Sequence, residues 1–340
     1  MKSQEKVLKI NNLEIGYTLK KSTKNIVFKD INLTGNSSEL IALVGRNGIG
    51  KSTLLRNIAG LQQPFQGEIL YYDKLRKVYN RSEFAKIASF VSTEIVNISN
   101  LKVFDLVSLG RFPHTNWFGK LNSNDINRSN QALEMVGMSN FSQKNVNEIS
   151  DGERQRVMIA RTLAQDTNLI VLDEPTAFLD LPNKYEIVHL LNILSKKENK
   201  TVIFSTHDLN IAIQEADKIW LMLDNEIYEG APEDLILKEQ FNKIFEESNL
   251  KFDKQKGEFR MLRKHIGKIG LFADGEFYTW TKKALERMNF SVSRDDKSDK
   301  YIKVETGKKL IKWKLIENEK MNEFDSIYEL SLYLKLQSKF

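Results

Sequence analysis

A glycine-rich segment that carries one lysine and one serine is the clearest chemical signal in the sequence. It reads Gly45-Arg46-Asn47-Gly48-Ile49-Gly50-Lys51-Ser52 and matches the pattern G-x-x-x-x-G-K-[ST] in full. Glycines let successive backbone N–H groups turn inward towards phosphate oxygens, and a following helix adds its unpaired N–H groups and positive dipole end. Lys51 would supply a charge to the β- and γ-phosphates, and Ser52 a hydroxyl to Mg²⁺. The alternative is a glycine-rich turn without function. We predict that a nucleotide phosphate site is formed by Gly45, Asn47, Gly48, Gly50, Lys51, Ser52 and Thr53.

Two adjacent carboxylates follow an apolar run later in the chain. Asp173 and Glu174 come directly after Leu169-Ile170-Val171-Leu172. An acidic residue at a strand end can hold Mg²⁺ directly or through water, and a second one can act as general base on an attacking water. Such a pair is often only structural charge, but the phosphate loop at residues 45–52 favours the catalytic interpretation. Together the two motifs indicate a nucleotide hydrolase.

Short apolar runs must position these groups. Residues 40–44, 169–172 and 201–205 are continuous apolar stretches that end close to Gly45, Asp173 and His207. Runs of this length suit strands that are buried on both faces of a parallel sheet, and ligands bind at the carboxyl ends of such strands. Alternation of these strands with helical patterns, such as Glu186 to Lys196, predicts an α/β layered fold.

A third motif narrows the class of hydrolase. The segment Ile149-Ser150-Asp151-Gly152-Glu153-Arg154-Gln155 resembles the signature of the ATP-binding cassette (ABC) family, which reads Leu-Ser-Gly-Gly-Gln. The resemblance implies a P-loop NTPase core with a mainly parallel sheet, an antiparallel β subdomain and a helical signature subdomain. It also implies that Ser150 and Gly152 reach across a dimer to the γ-phosphate held by the other subunit.

Ser150 and Glu153 also form S-x-x-E, which is a helix capping box in its own right. Capping and γ-phosphate binding are compatible because both use the same helix start. The sequence departs from the family pattern at Asp151 and Glu153, and two carboxylates facing a phosphate would be electrostatically costly. We therefore expect both side chains to point away from the phosphate or to cap the helix.

Further residues match family landmarks in chain order. The resemblance implies that Tyr17 stacks on adenine, that Asp180 couples the two sites of a dimer, and that His207 contacts the γ-phosphate. Tyr17 as an ordinary strand aromatic and His207 as a structural histidine are the alternatives. The family places a glutamine near Phe90, but this chain has none there, and we assign its role at Mg²⁺ to Glu94.

Composition limits the other possibilities. Hydrophobic residues make up 41% of the 340 residues, as in ordinary globular proteins, and cysteine is absent, which excludes disulfides and thiolate metal sites. We find neither a signal-peptide pattern nor an apolar run of membrane-spanning length. The chain is therefore expected to be soluble or peripheral, and the resemblance to the ABC family implies a peripheral location on the cytoplasmic face of a bacterial inner membrane.

The charge distribution predicts two domains. Residues 251–340 contain 21 Lys and Arg against 14 Asp and Glu, whereas the first 250 residues are nearly balanced. We predict an ATP-binding domain over residues 1–252 and a small C-terminal α/β accessory domain over residues 258–340. For this basic domain, nucleic acid or anionic lipid binding is the alternative to a solvated surface without a ligand.

Three segments resemble those in the ATPase subunits of importers for ferric siderophores, haem and cobalamin. They are Gly45 to Gly48, Leu109 to His114 and Pro175 to Leu181. This resemblance implies an ATPase homodimer that closes on two ATP molecules, drives polytopic permease subunits and serves a substrate-binding protein indirectly. The segment from Leu101 to Trp117 would contact the permease or belong to the core.

Two alternative functions stay open. One is a soluble cassette ATPase that acts on nucleic acid or ribosomes, and the other is a regulatory cassette that only binds nucleotide. Only 97 residues separate Ser52 from Ser150, without heptads, which argues against the coiled coil of the DNA-acting type. Cassette ATPases that act in translation usually carry two cassettes in one chain, whereas this chain has one, so we expect no nucleic acid partner.

Overall fold

The computed structural model describes residues 5–18, 23–92, 100–116, 119–246, 249–254, 257–294, 299–306 and 310–337. The chain divides into two compact units, residues 1–244 and 245–340. The division lies nearer the N-terminus than the boundary expected from sequence at 252–258. The polar stretch at that boundary belongs to a β-hairpin, with strands at Leu250–Asp253 and Glu258–Met261.

The first unit contains two sheets. Its described strands are β1 (Lys6–Thr18), β2 (Lys24–Asn36), β3 (Leu40–Val44), β4 (Gln66–Tyr71), β5 (Lys74–Leu75), β6 (Ala88–Val91), β7 (Leu169–Leu172), β8 (Thr201–Thr206), β9 (Lys218–Met222) and β10 (Ile227–Gly230). The larger sheet has the order β10-β9-β3-β8-β7-β6, and its pairs are parallel except β10 with β9. The smaller sheet, β2-β1-β4-β5, is antiparallel. The mainly parallel sheet and the antiparallel β subdomain are both confirmed.

Strands β3, β7 and β8 lie at the centre of the larger sheet. Every residue of these three strands is buried, as the continuous apolar runs predicted. Because the strands are parallel and adjacent, their carboxyl ends open at one edge. Gly45, Asp173 and His207 follow there.

Helices cover this framework. They are α1 (Lys51–Ile58), α2 (Arg81–Phe84), α3 (Val103–Ser108), α4 (Ser123–Met135), α5 (Asp151–Ala164), α6 (Leu181–Lys196), α7 (Leu209–Glu215) and α8 (Pro232–Leu237). The described residues between β6 and β7 form mainly helices, and α5 packs against α3 and α4, which confirms a helical subdomain. Within the described residues, no helix has both the length and the apolarity needed to cross a membrane.

The segment from Leu101 to Trp117, which was expected to contact the permease or to belong to the core, contains both buried and exposed residues. Leu106 and Val107 are buried in the core, whereas Phe112 is 68% exposed. Phe104 is half-buried, and Trp117 lies outside the described residues.

The second unit is a small α/β domain. Its elements are β11 (Leu250–Asp253), β12 (Glu258–Met261), β13 (Gly267–Phe272), α9 (Gly275–Arg287), β14 (Phe290–Ser293), β15 (Lys300–Thr306), β16 (Ile311–Glu317), β17 (Lys320–Phe324) and α10 (Ile327–Gln337). A mixed sheet has the order β14-β13-β15-β16-β17. Its core includes Ile269, Ile302 and Trp313. The Trp313 indole N–H donates to the Thr281 hydroxyl at 2.9 Å, so the buried nitrogen is satisfied.

Candidate functional site

The phosphate loop joins β3 to α1 and requires glycine at several positions. Gly48 and Gly50 have φ of 82° and 113°, which glycine adopts without strain. A Cβ atom on Gly50 would lie 2.6 Å from Cγ1 of Val27, and one on Gly45 would lie 2.8 Å from the Met222 carbonyl oxygen. At Gly45 and Gly50 the backbone therefore runs too close to its neighbours for a side chain, whereas Gly48 is required by its φ alone.

Lys51 is held inside this loop. Its side chain is nearly buried, and Nζ donates hydrogen bonds to the carbonyl oxygens of Gly45 at 2.9 Å and Arg46 at 3.2 Å. Nζ also lies 3.9 Å from Oε1 of Glu174. Burial lowers the pKa of the Lys51 ammonium, and the negative charges of Glu174 and Asp173 oppose that shift. A polyphosphate would complement this partly desolvated cation.

One serine ties the two predicted carboxylates together. The Ser205 hydroxyl, on β8, donates to Oδ1 of Asp173 at 2.8 Å and accepts from the Glu174 backbone N–H at 2.8 Å. Sequence reasoning did not select Ser205. The available signal was a small polar residue near the end of a buried strand, one residue before Thr206.

Glu174 lies between the predicted lysine and histidine. Its φ of 44° is a left-handed conformation that is uncommon for a non-glycine residue. Its Oε2 lies 3.7 Å from Nδ1 of His207, which is about half-exposed. The structure thus brings Lys51, Glu174 and His207 into one neighbourhood, although they are distant in sequence.

These elements form an open cleft of about 340 Å³, which we call the nucleotide cleft. Within it the hydroxyls of Tyr17 and Thr53 are hydrogen-bonded to one another, and the Tyr17 side chain is partly exposed. Val27, from β2, also lines the cleft, and no sequence pattern marked it. The lining residues are Tyr17, Val27, Asn47, Gly48, Gly50, Lys51, Ser52, Thr53 and Glu174.

The signature residues line a different place, the start of α5. The Ser150 hydroxyl accepts from the Glu153 N–H at 3.3 Å, and Oε2 of Glu153 accepts from the Ser150 N–H at 2.7 Å. The predicted capping box is therefore present. Asp151 pairs with Arg154 at 2.8 Å, so both acidic side chains are used by the helix itself. Hydrogen bonds from the Ser150 N–H and hydroxyl lower the pKa of the Glu153 carboxyl.

Asp180 caps the neighbouring helix α6. It accepts from the Asn183 N–H at 3.2 Å and from the Asn183 side-chain amide at 2.6 Å. A Cβ on Gly152 would lie 3.0 Å from Oδ1 of Asn183. The start of α5 therefore contacts the start of α6 through Asn183. The sequence did not reveal this contact. Ser150, Gly152, Glu153 and Asp180 do not line the nucleotide cleft of their own chain.

The predicted metal ligands are Ser52, Asp173 and Glu94. Ser52 lines the nucleotide cleft, whereas Glu94 lies outside the described residues. No group of three or more His, Asp or Glu side chains in the described ranges forms a metal site by itself. The hydroxyl of Ser52 and the carboxylate of Asp173 are oxygen donors of the type that Mg²⁺ binds together with phosphate and water.

Comparison with known proteins agrees with this geometry. The ABC transporter family model matches residues 28–177, and the model of the iron ABC transporter C-terminal domain matches residues 266–335. An uncharacterized ABC transporter ATP-binding protein of Methanocaldococcus jannaschii is 35% identical over 267 residues, 78% of this chain and 90% of the relative. A petrobactin import ATP-binding protein of Bacillus anthracis is 34% identical over 71% of this chain and 87% of its own length.

Solved structures show the same likeness. A transporter described as of the metal-chelate type, in an inward-facing conformation, is 32% identical, with a TM-score of 0.59 over 68% of this chain and 85% of its own. A dimeric bacterial ABC transporter cassette is 27% identical, with a TM-score of 0.58 over 66% and 98%. That cassette has also been solved with bound ADP and Pi. The chain belongs to the family of ABC transporter ATP-binding proteins, and its enzymatic activity is the hydrolysis of ATP.

Proposed function

We propose that this chain is the ATPase subunit of an importer for a ferric siderophore or a similar metal chelate. The observation that carries the proposal is the combination of an ABC transporter cassette with a second unit matching the iron ABC transporter C-terminal domain. Relatives named for petrobactin import and for iron(3+)-hydroxamate import support the same class of cargo. The cargo itself would not touch this subunit.

In this proposal the nucleotide cleft binds ATP with Mg²⁺. Tyr17 stacks on the adenine, the glycines and Lys51 hold the phosphates, and Ser52 and Asp173 contribute oxygen ligands to the metal. Glu94 supplies the position that a glutamine occupies in other family members. Mg²⁺ would neutralise charge that builds up on the β- and γ-phosphates.

Glu174 is the proposed general base for the attacking water. Its carboxylate is held between Lys51 and His207, at 3.9 Å and 3.7 Å respectively. Ser205 fixes the backbone at Glu174 through the N–H bond, which limits where the carboxylate can reach. His207 would contact the γ-phosphate and orient the base.

The proposed working form is a two-fold homodimer. Ser150 and Gly152 do not line the nucleotide cleft of their own chain, so a second copy would bring its α5 start to the γ-phosphate. Dimeric cassettes among the solved relatives support this arrangement. Asp180, which contacts Asn183 beside Gly152, would couple the two sites.

A second surface of the first unit suits a helix of the permease. A groove of about 870 Å³ runs beside β6 and α5, and its wall includes Leu61, Phe90, Met158 and Arg161. Leu61 is 64% exposed, which a partner helix would cover. We propose that attachment there places the subunit at the cytoplasmic face of the membrane.

The decisive test is affinity purification of the tagged chain from detergent-solubilised membranes of its native host. We expect a polytopic membrane protein to co-purify, and the reconstituted complex to raise its ATPase rate when a ferric-chelate-loaded binding protein is added. Recovery of ribosomes or nucleic acid without a membrane protein would contradict the proposal. A Lys51→Ala variant should co-purify with the same partner but show no stimulated hydrolysis.

A further inference from the structure

A basic cleft in the second unit has no part in the ATP chemistry. It has a volume of about 460 Å³ and is lined by the segment 260–265, the last turn of α9 and β14. Four of its lining residues, Arg260, Arg263, Lys283 and Arg287, carry a fixed positive charge, and one, Glu286, carries a negative charge. A concave surface with this balance attracts anions.

Arg263 is fixed in place before any ligand arrives. Its guanidinium donates to the carbonyl oxygens of Glu286 at 3.2 Å and Arg287 at 2.7 Å, at the end of α9, where carbonyls lack helical partners. The chain around it is also anchored, since the Leu262 N–H donates to the Asn249 carbonyl and the Ile266 N–H to the Asn289 carbonyl. A ligand would therefore bind without the cost of ordering this cation.

The negative charge of Glu286, the acidic residue among those that line the cleft, is balanced by neighbouring cations. Glu286 lies 3.7 Å from Nη2 of Arg260 and 3.7 Å from Nζ of Lys282. Arg260 is also paired with Asp253, at 3.0 Å. The Arg287 side chain makes no hydrogen bond or ion pair with the residues that the structure describes, and it is exposed. Arg263 and Arg287 are therefore the cations best placed to meet a ligand.

The shape of the cleft favours a small ligand. Its volume falls in the range of pockets that bind small molecules, and Met261, Leu262 and Val292 add apolar wall. Guanidinium groups bind carboxylates and phosphates through paired hydrogen bonds. Single-stranded nucleic acid usually stacks on exposed aromatic rings, but Phe290, the phenylalanine of this wall, is 8% exposed, which leaves the His265 imidazole as its exposed ring.

We propose that this cleft binds a small organic anion that carries two or more carboxylate or phosphate groups. Arg263 and Arg287 would hold the anionic groups, and the apolar wall would contact the carbon skeleton. The inference does not depend on what the transporter carries, because the cleft lies wholly within the second unit and shares no residue with the nucleotide cleft.

The test is isothermal titration calorimetry of the full chain with citrate as the probe, in low salt and without Mg²⁺, on the Lys51→Ala background so that the phosphate-loop cation does not compete for citrate. We expect saturable binding of one citrate per chain that weakens as salt is added, whereas acetate should show none. Arg263→Gln and Arg287→Gln should each weaken citrate binding about tenfold or more. Lys320→Gln, which removes one charge from exposed β17, is the matched control and should bind as the unmodified chain does.

Three results would overturn the inference: no saturable citrate heat, equal loss in Lys320→Gln, or variant-sensitive binding only to vesicles of anionic phospholipid. Thermal unfolding of each variant checks that α9 stays folded. If Arg263→Gln loosens that helix end, Arg287→Gln still decides the question, since its side chain holds no described structural contact.

Discussion

Ser205 explains why the proposed catalytic pair has a defined geometry. One hydroxyl contacts Asp173 through its proton and Glu174 through its oxygen, so the two residues cannot shift independently. Sequence reasoning reached Asp173 and Glu174 because strand ends can be located from apolar runs, and it reached His207 through the resemblance to the ABC family. It missed Ser205 and Val27, because contacts between side chains that lie far apart in the chain leave no mark in local pattern.

If Glu174 is the general base, its substitution should slow ATP hydrolysis without weakening ATP binding. Glu174→Gln should retain ATP affinity while turnover falls about a hundredfold or more, since an amide cannot accept the proton of the attacking water. Phosphate release under single-turnover conditions measures the chemical step, and equilibrium nucleotide binding measures affinity. Glu68→Gln, on the exposed part of β4, is a matched control and should leave both unchanged. Sustained turnover in Glu174→Gln would remove the assignment.

The buried strands were the most predictable elements, and helix starts were less so. Runs of mainly apolar residues identified β3, β7 and β8 almost residue by residue, because strands that are covered on both faces carry few polar side chains. The helix expected from Glu186 in fact begins at Leu181, since Asp180 caps it and Pro182 occupies its first turn. The pairing of β1 with β2 contains several register shifts, which depend on tertiary contacts that no period-two pattern specifies.

A buried ion pair links several parts of the helical subdomain. Nε of Arg111 lies 3.0 Å from Oδ1 of Asp125, and Nη1 donates to the Ala164 carbonyl at 2.7 Å, at the end of α5. Both side chains are almost fully buried. The pair thus joins the chain after α3 to the start of α4 and to the helix that carries the signature residues at its other end.

Removal of one partner should loosen this subdomain. Arg111→Met leaves the Asp125 carboxylate buried without its cation, which typically costs about 3–5 kcal/mol. Hydrogen exchange of peptides covering α4 and α5 should become correspondingly faster. Arg128→Met breaks the exposed ion pair with Asp166. It should change the free energy of the opening that permits exchange by less than about 1 kcal/mol. Equal exchange in the two variants would contradict the structural role of Arg111.

The division of the chain has a consequence for nucleotide binding. All residues that line the nucleotide cleft lie between Tyr17 and Glu174, within the first unit. Arg46, in the phosphate loop, donates to the Ile244 carbonyl through Nε at 3.2 Å and Nη2 at 2.9 Å. The last residues of the first unit therefore support the loop directly.

Truncation should reveal this support. A fragment of residues 1–246 should bind ATP as tightly as the full chain, whereas a fragment of residues 1–243 should bind it more weakly, because the carbonyl that holds Arg46 is gone. Fluorescence titration with a labelled ATP analogue compares the two, and circular dichroism checks that both are folded. Equal affinity in the two fragments would show that Ile244 does not matter for the loop.

Net charge located the basic second unit from sequence, but it could not locate the cleft. The cleft forms where the segment after β12 packs beside the end of α9, and this juxtaposition depends on the sheet order. Composition reports how many cations a segment has, whereas only the fold decides which of them face carboxylates and which face a cavity.

The Ser150 hydroxyl donates to Oε2 of Glu153 at 2.9 Å, so it already has an acceptor in the isolated subunit. In the proposed assembly that proton must turn from a carboxylate of its own helix to a phosphate oxygen of another molecule. The exchange replaces one anionic acceptor with another, so this contact gains little net free energy on closure. A dimer assembled through such an exchange would separate readily once the phosphate has left, as a motor that must reset after every cycle requires.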